Sequence, residues 1–325
     1  MLVATGLDTR AIVVDPEPTA SQREQHRQTL ETLMNHGVLV HADEFDERRF
    51  LVALGELPQG VRQLWEVALP RIVRRRADPP RPVAVGDAEN RGELIDVWSP
   101  VTSVALIREQ LAEDMGLGPE EASSVDDETG FEISKFSLTP GTRAFRALRE
   151  LSQSEIPARS PRSEVWADRF APLFQHFREV TIVDRYASEA MLPSRRRRGG
   201  FEWLLGALPQ ETRSRIHLIT RSTGPSVSDI IRELRRMRRN TPGAAVAHLE
   251  ATLATDSAFR EYAHARHIRF GGHRVVTLDR GLTMFERESI RQSSPCLYGN
   301  AQDARRRERE VISRSFASAR RRAIT

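Results

Sequence analysis

Cysteine is nearly absent: Cys296 is the only one in 325 residues, which excludes an internal disulfide and a cysteine-based zinc site. Lysine is as scarce, since Lys135 is the only lysine among 49 basic residues. That bias has two readings, a GC-rich bacterial genome or selection for the two-pronged grip of guanidinium on phosphate. Arginines spread over the whole chain favour the first. No apolar run approaches the roughly 20 residues that a membrane span needs, and Asp8 interrupts the N-terminus before an apolar leader could form. The expectation is therefore a soluble, cytoplasmic protein. There is no internal repeat and no glycine-rich phosphate loop. Net charge is only +4, so local arginine clusters carry the electrostatic argument rather than a field of the whole molecule.

What is there reads as α/β, in two domains. Residues 1–151 alternate strand-like and helix-like stretches. Residues 11–15 (AIVVD) and 83–87 (VAVGD) look like strands ending in a carboxylate, and residues 38–41 like another strand. A helix is expected after Ser21 and Glu24, which have capping-box spacing. Residues 59–76 fit a helix interrupted at Pro70 and closed by Arg71, Arg74, Arg75 and Arg76, and residues 103–115 fit another. Residues 122–125 and 131–136 read as strands around the acidic turn Asp126-Asp127-Glu128. Residues 152–163 are polar, carry two prolines and show no period, so they read as a linker. The second domain is expected over residues 164–299, with a basic tail over 300–325. Within it Trp166, Phe170, Phe174 and Phe177 recur at helical spacing as core, 226–239 and 243–253 read as helices, and 262–278 as a hairpin turning at Gly271-Gly272.

Carboxylates at the C-terminal ends of parallel strands converge on the ligand crevice of an open α/β sheet. Three or four such oxygens can hold Mg²⁺ or Mn²⁺ and orient water for hydrolysis. Asp15, Asp87 and Asp126 are thus candidate metal ligands, and with Asp127 candidate catalytic residues. The alternative is that they serve turns and caps. In the second domain His264, Arg266, Arg280, Arg185 and the run Arg195, Arg196, Arg197, Arg198 are candidate phosphate contacts. The alternative there is an ion-pair network of Asp184, Arg266 and Arg280 that orients the hairpin. A His-x-Arg pair on a strand suits a phosphodiesterase of the phospholipase D type, with histidine as nucleophile, but Gly271 stands where the supporting Asp is needed and no second copy exists. No hydrolysis is expected at that site.

Two resemblances follow from these residues. The stretch HARHIRF with LDRGLTMFE, together with VTIVDRY at 180–186, the helix at 201–208 and the strand at 216–221, resembles the C-terminal phospholipase D-like domain of MIT-domain proteins, which keeps the fold without the hydrolytic motif. Ala265, His267 and Arg185 depart from that pattern. The resemblance implies a phospholipase D-like α/β domain that binds acidic membrane lipid. The arrangement of strand-ending aspartates in residues 1–151 resembles a PIN-type nuclease. Together these suggest a bacterial effector or conflict-system (antiviral defence) protein acting with partner proteins of a multi-gene system. In it a non-hydrolytic domain would recognise a phosphate-bearing partner, nucleic acid, beside a metal-dependent nuclease. The rival is an adaptor without chemistry, docking on anionic lipid or on a protein.

Overall fold

A computed structural model describes residues 2–118, 121–191, 199–222, 227–241, 245–262, 266–312 and 320–324. It is α/β throughout, and the chain divides into two units, Leu2–Leu151 and Ser152–Thr325. No helix among the described residues is long and apolar enough to cross a membrane.

In the first unit β1 (Val3–Leu7) is buried at all five positions, as a strand flanked by parallel neighbours and covered on both faces must be. It is followed by α1 (Ala20–His36), β2 (Gly37–His41), α2 (Glu44–Glu56), α3 (Gln59–Ala68), β3 (Val73–Arg76), α4 (Arg91–Trp98), β4 (Val104–Ile107), α5 (Glu109–Asp114), β5 (Ser123–Val125), β6 (Glu132–Lys135) and α6 (Arg143–Gln153). The sheet order is β3-β2-β1-β4-β6-β5, parallel except for the β5–β6 hairpin. The order reverses direction between β1 and β4, which makes their C-terminal ends the topological switch point. Leu30, Leu33, Phe50, Trp65, Phe136 and Phe145 pack against one face. Gly6 has no side chain because Val85 and Trp98 press on the other, where a Cβ would meet Val85 at 2.7 Å.

Several sequence expectations need correction here. Residues 11–15 form no strand: a 3-10 turn, Thr9–Ile12, leads into a loop. The helix cap is Thr19 with Gln22, not Ser21 with Glu24. Residues 83–87 hold a 3-10 turn, Val85–Asp87. The expected helix 103–115 splits into β4 and α5, and Arg74, Arg75 and Arg76 lie on β3 rather than at a helix end.

The second unit contains α7 (Arg162–Arg169), α8 (Ala171–His176), β7 (Glu179–Val183), α9 (Ala187–Ala190), α10 (Gly200–Ala207), β8 (Ser214–Arg221), α11 (Val227–Asn240), β9 (Val246–Ala254), α12 (Asp256–Tyr262), β10 (Arg266–Phe270), β11 (Arg274–Leu278), β12 (Cys296–Gly299), α13 (Ala301–Ile312) and β13 (Arg320–Ile324). The sheet runs β12-β11-β10-β7-β8-β9-β13; β7, β8 and β9 are parallel, and β10–β12 form an antiparallel meander. The aromatic stripe is core: Trp166 and Phe170 pack on Phe285, and Phe174 and Phe177 on Phe270. Residues 243–253 were expected as a helix, yet 246–254 are β9, paired on both sides. Residues 300–325 are no simple tail, because α13 packs on the sheet and β13 joins it. The stretch 152–163 also belongs to this unit, held by backbone bridges from Ile156 to Ser294 and from Pro161 to Ser289.

Candidate functional site

Residues 184–186 follow directly on β7, Arg221 ends β8 and Arg266 begins β10, which runs antiparallel to β7, so all lie at one edge of the second sheet. Three guanidiniums surround the ring of Tyr186: Arg221 at 5.0 Å, Arg185 at 5.3 Å and Arg266 at 5.5 Å from its centroid. A cation over a tyrosine face is favoured by the ring quadrupole. Arg185 and Arg221 share Asp256, at 2.7 and 3.3 Å, and Arg221 also pairs with Glu189. Partial burial opposes ionisation of Asp256, but Arg221 and Arg185 outweigh it and hold its pKa below the ordinary value. Arg266 differs: among the described residues no carboxylate stands within ion-pair distance of it.

Asp184 anchors this edge. It is 1 % exposed and accepts the backbone N–H groups of Tyr186 (2.9 Å) and Leu282 (2.7 Å). Burial pushes its pKa up, against those two bonds and the nearby charge of Arg266. Gly281 fits here at a φ of +57°, where a Cβ would stand 2.4 Å from Asp184 Oδ2 and 2.6 Å from Arg266 Cδ. Arg280 does not join Asp184; it donates to Gln292 at 3.0 Å and lines a cavity of about 130 Å³ with Arg287 and Arg291. The anticipated ion-pair network of Asp184, Arg266 and Arg280 therefore reduces to a backbone-held aspartate beside one arginine. Tyr262, expected on the hairpin, ends α12 instead. His264 and the run Arg195, Arg196, Arg197 and Arg198 lie outside the described residues.

In the first unit the expected metal ligands are not brought together. Asp15 is exposed in the loop after the Thr9–Ile12 turn. Asp126 turns the β5–β6 hairpin, accepting from Thr129 N (2.8 Å) and Oγ1 (2.7 Å), at the N-terminal end of β6 and so at the opposite edge from the switch point. Asp127 is exposed in the same turn. Asp87 alone reaches the crevice, and Arg49 there lowers its pKa, with Arg10 and Arg108 adding to the effect. Mutual repulsion between carboxylates would raise a pKa, whereas Asp87 and Asp126 are both held below the ordinary value. Among the described residues no group of three or more His, Cys, Asp or Glu is placed to hold a metal ion. Asp15, Asp87 and Asp126 thus do not form together the donor set expected for Mg²⁺ or Mn²⁺.

Sequence reasoning missed Asp8. It is the carboxylate that ends β1, fully buried and ion-paired to Arg108 at 2.6 Å. The signal was present in VATGLD, an apolar run ending in Asp, but Thr5 and Gly6 made it look weaker than AIVVD. Tyr186 was also missed, because an isolated aromatic beside one arginine gives no hint that two more arrive from β8 and β10. Comparison of the chain with known proteins gives no matching family model and no matching curated protein.

Proposed function

We propose that the protein is a phosphate-recognition protein whose second unit grips the backbone of a nucleic acid at the Tyr186 edge. The observation that carries this reading is Arg266, a half-buried guanidinium on the Tyr186 ring with no carboxylate in ion-pair distance among the described residues. Arg185 and Arg221 lie against the same ring, each paired to a carboxylate. Guanidiniums gathered round the ring leave it a poor platform for a nucleobase, so recognition falls on phosphates and is independent of sequence. Release of counterions then makes the affinity strongly salt-dependent. No chemistry is assigned to this edge, and the role is that of a binding component of an effector or defence system.

The test is titration of a fluorescent oligonucleotide with the full chain at several salt concentrations. Arg266→Ser is expected to weaken binding about tenfold and to lower the salt slope by about one. An oligonucleotide that fails to bind at low salt, or an unchanged slope in Arg266→Ser, refutes the reading. Binding to anionic vesicles in place of the oligonucleotide would move the site to lipid headgroups.

A further inference from the structure

The switch point of the first unit holds an alternating chain of charges. Arg108 donates to Asp8 at 2.6 Å, and Arg10 lies 3.6 Å from Asp8 and 3.2 Å from Asp87. Arg49 closes the chain on both oxygens of Asp87. The chain ends in a cation on either side, three guanidiniums facing two carboxylates. Asp46, whose charge also reaches Arg49, accepts the Ala42 amide at 3.0 Å and sits 3.8 Å from His41.

The two carboxylates are not equivalent. Asp8 is fully buried and also accepts the Arg10 amide at 2.9 Å, so it is part of the scaffold. The Asp87 side chain is 39 % exposed and rides on the three-residue turn Val85–Asp87. That turn is laid directly on Asp8: a Cβ on Gly86 would stand 2.2 Å from Asp8 Oδ1. Its Gly86 carbonyl and Asp87 carboxylate together present to Arg10 and Arg49 the acceptor oxygens that a phosphate would present.

We propose that the crevice at the C-terminal ends of β1 and β4 binds a small phosphomonoester, and that Asp87 occupies the phosphate position in the free chain. Ligands of open α/β sheets bind at this place. Arg10, Arg49 and Arg108 are 48 %, 31 % and 27 % exposed, within reach of solvent. Bidentate guanidinium suits a phosphate as well as a carboxylate. Within the chain two carboxylates face three guanidiniums, with Asp46 near Arg49; a dianionic phosphate in place of Asp87 brings one more negative charge to the same guanidiniums. The first unit thus recognises its ligand by displacement of its own side chain.

The test is calorimetric titration of the full chain with inorganic phosphate and with adenosine 5′-monophosphate in low-salt chloride buffer. All proteins carry Arg266→Ser, so that the Tyr186 edge does not contribute. Asp87→Asn, which removes the competing charge, is expected to tighten phosphate binding about tenfold, and Arg49→Gln added to it to abolish the gain. The nucleotide arm separates recognition of phosphate alone from recognition of a nucleoside. If Asp87→Asn is folded by circular dichroism and its affinity is unchanged, weaker or undetectable, the proposal is wrong and the chain of charges is structural only. Should Asp87→Asn not fold, Arg49→Gln alone decides: loss of the phosphate-induced rise in thermal midpoint supports the site, and an undiminished rise or none in the parent overturns it.

Discussion

The two units use one packing device and satisfy it differently. In each, a buried aspartate at a strand edge lies under a glycine with no room for a Cβ: Asp8 under Gly86 and Asp184 under Gly281. Asp8 is ion-paired to a guanidinium as well as accepting the Arg10 amide, whereas Asp184 is held by two backbone amides with no ion pair among the described residues. A side-chain counter-ion ties up the arginine that supplies it. Backbone donors leave the neighbouring arginine without a carboxylate: Arg266 has none in ion-pair distance among the described residues, whereas Arg10, Arg49 and Arg108 are all paired.

Substituting the glycines tests the parallel. Gly281→Ala is expected to cost about 4 kcal/mol, an overpacking cost together with that of a left-handed backbone. Denaturant unfolding of the full chain measures it, and a loss under 1 kcal/mol would mean the contact with Asp184 is slack. Buried basic groups separate the units further. His26 in the first unit is 2 % exposed and accepts from Trp65 Nε1 at 3.0 Å, and burial lowers its pKa from 6.5 to about 4. A histidine depressed in the folded state contributes stability that is complete above pH 6.5 and is lost as pH falls toward 4, amounting to about 3 kcal/mol below both values. His26→Gln keeps an acceptor for Trp65 and should flatten that part of the stability profile; an unchanged profile would place the acid sensitivity elsewhere. Gly86→Ala, which lacks the backbone penalty of Gly281, should cost about 2 kcal/mol.

The smallest effect has the opposite sign. Arg274 in the second unit is 4 % exposed and donates to the His273 carbonyl at 2.9 Å, while its Nε and Nη2 find no acceptor among the described residues. Burial lowers its pKa to about 10, yet it stays charged at neutral pH. Replacing a buried charge that lacks a counter-ion with an apolar group of similar length removes a desolvation cost, so Arg274→Met should stabilise by about 1 kcal/mol. A lower thermal midpoint in that variant would show that the guanidinium is compensated after all.

How far the sequence told this in advance differs by element. The α/β class was legible, as was β2, because its apolar run is short and bounded; β7 and β8 were anticipated through the resemblance of VTIVDRY and of residues 216–221 to family strands. β9 was not: VAHLEATLA is built of good helix formers, and only pairing with β8 on one side and β13 on the other makes it a strand, tertiary contact overriding propensity. Asp126 was legible as a turn residue and misleading as a ligand, since its partner Thr129 lies three residues away while a metal site needs neighbours across the sheet. The crevice arginines were invisible for the same reason: Arg10, Arg49 and Arg108 are far from one another in sequence and meet only at the switch point.

β13 pairs antiparallel with β9 from Arg320↔Leu253 to Ile324↔Leu249. During synthesis, therefore, the β9 edge stays open while some seventy further residues, the whole antiparallel meander among them, are added. Until the strand Arg320–Ile324 is made, that edge presents a row of unpaired backbone groups with which another extended chain can pair.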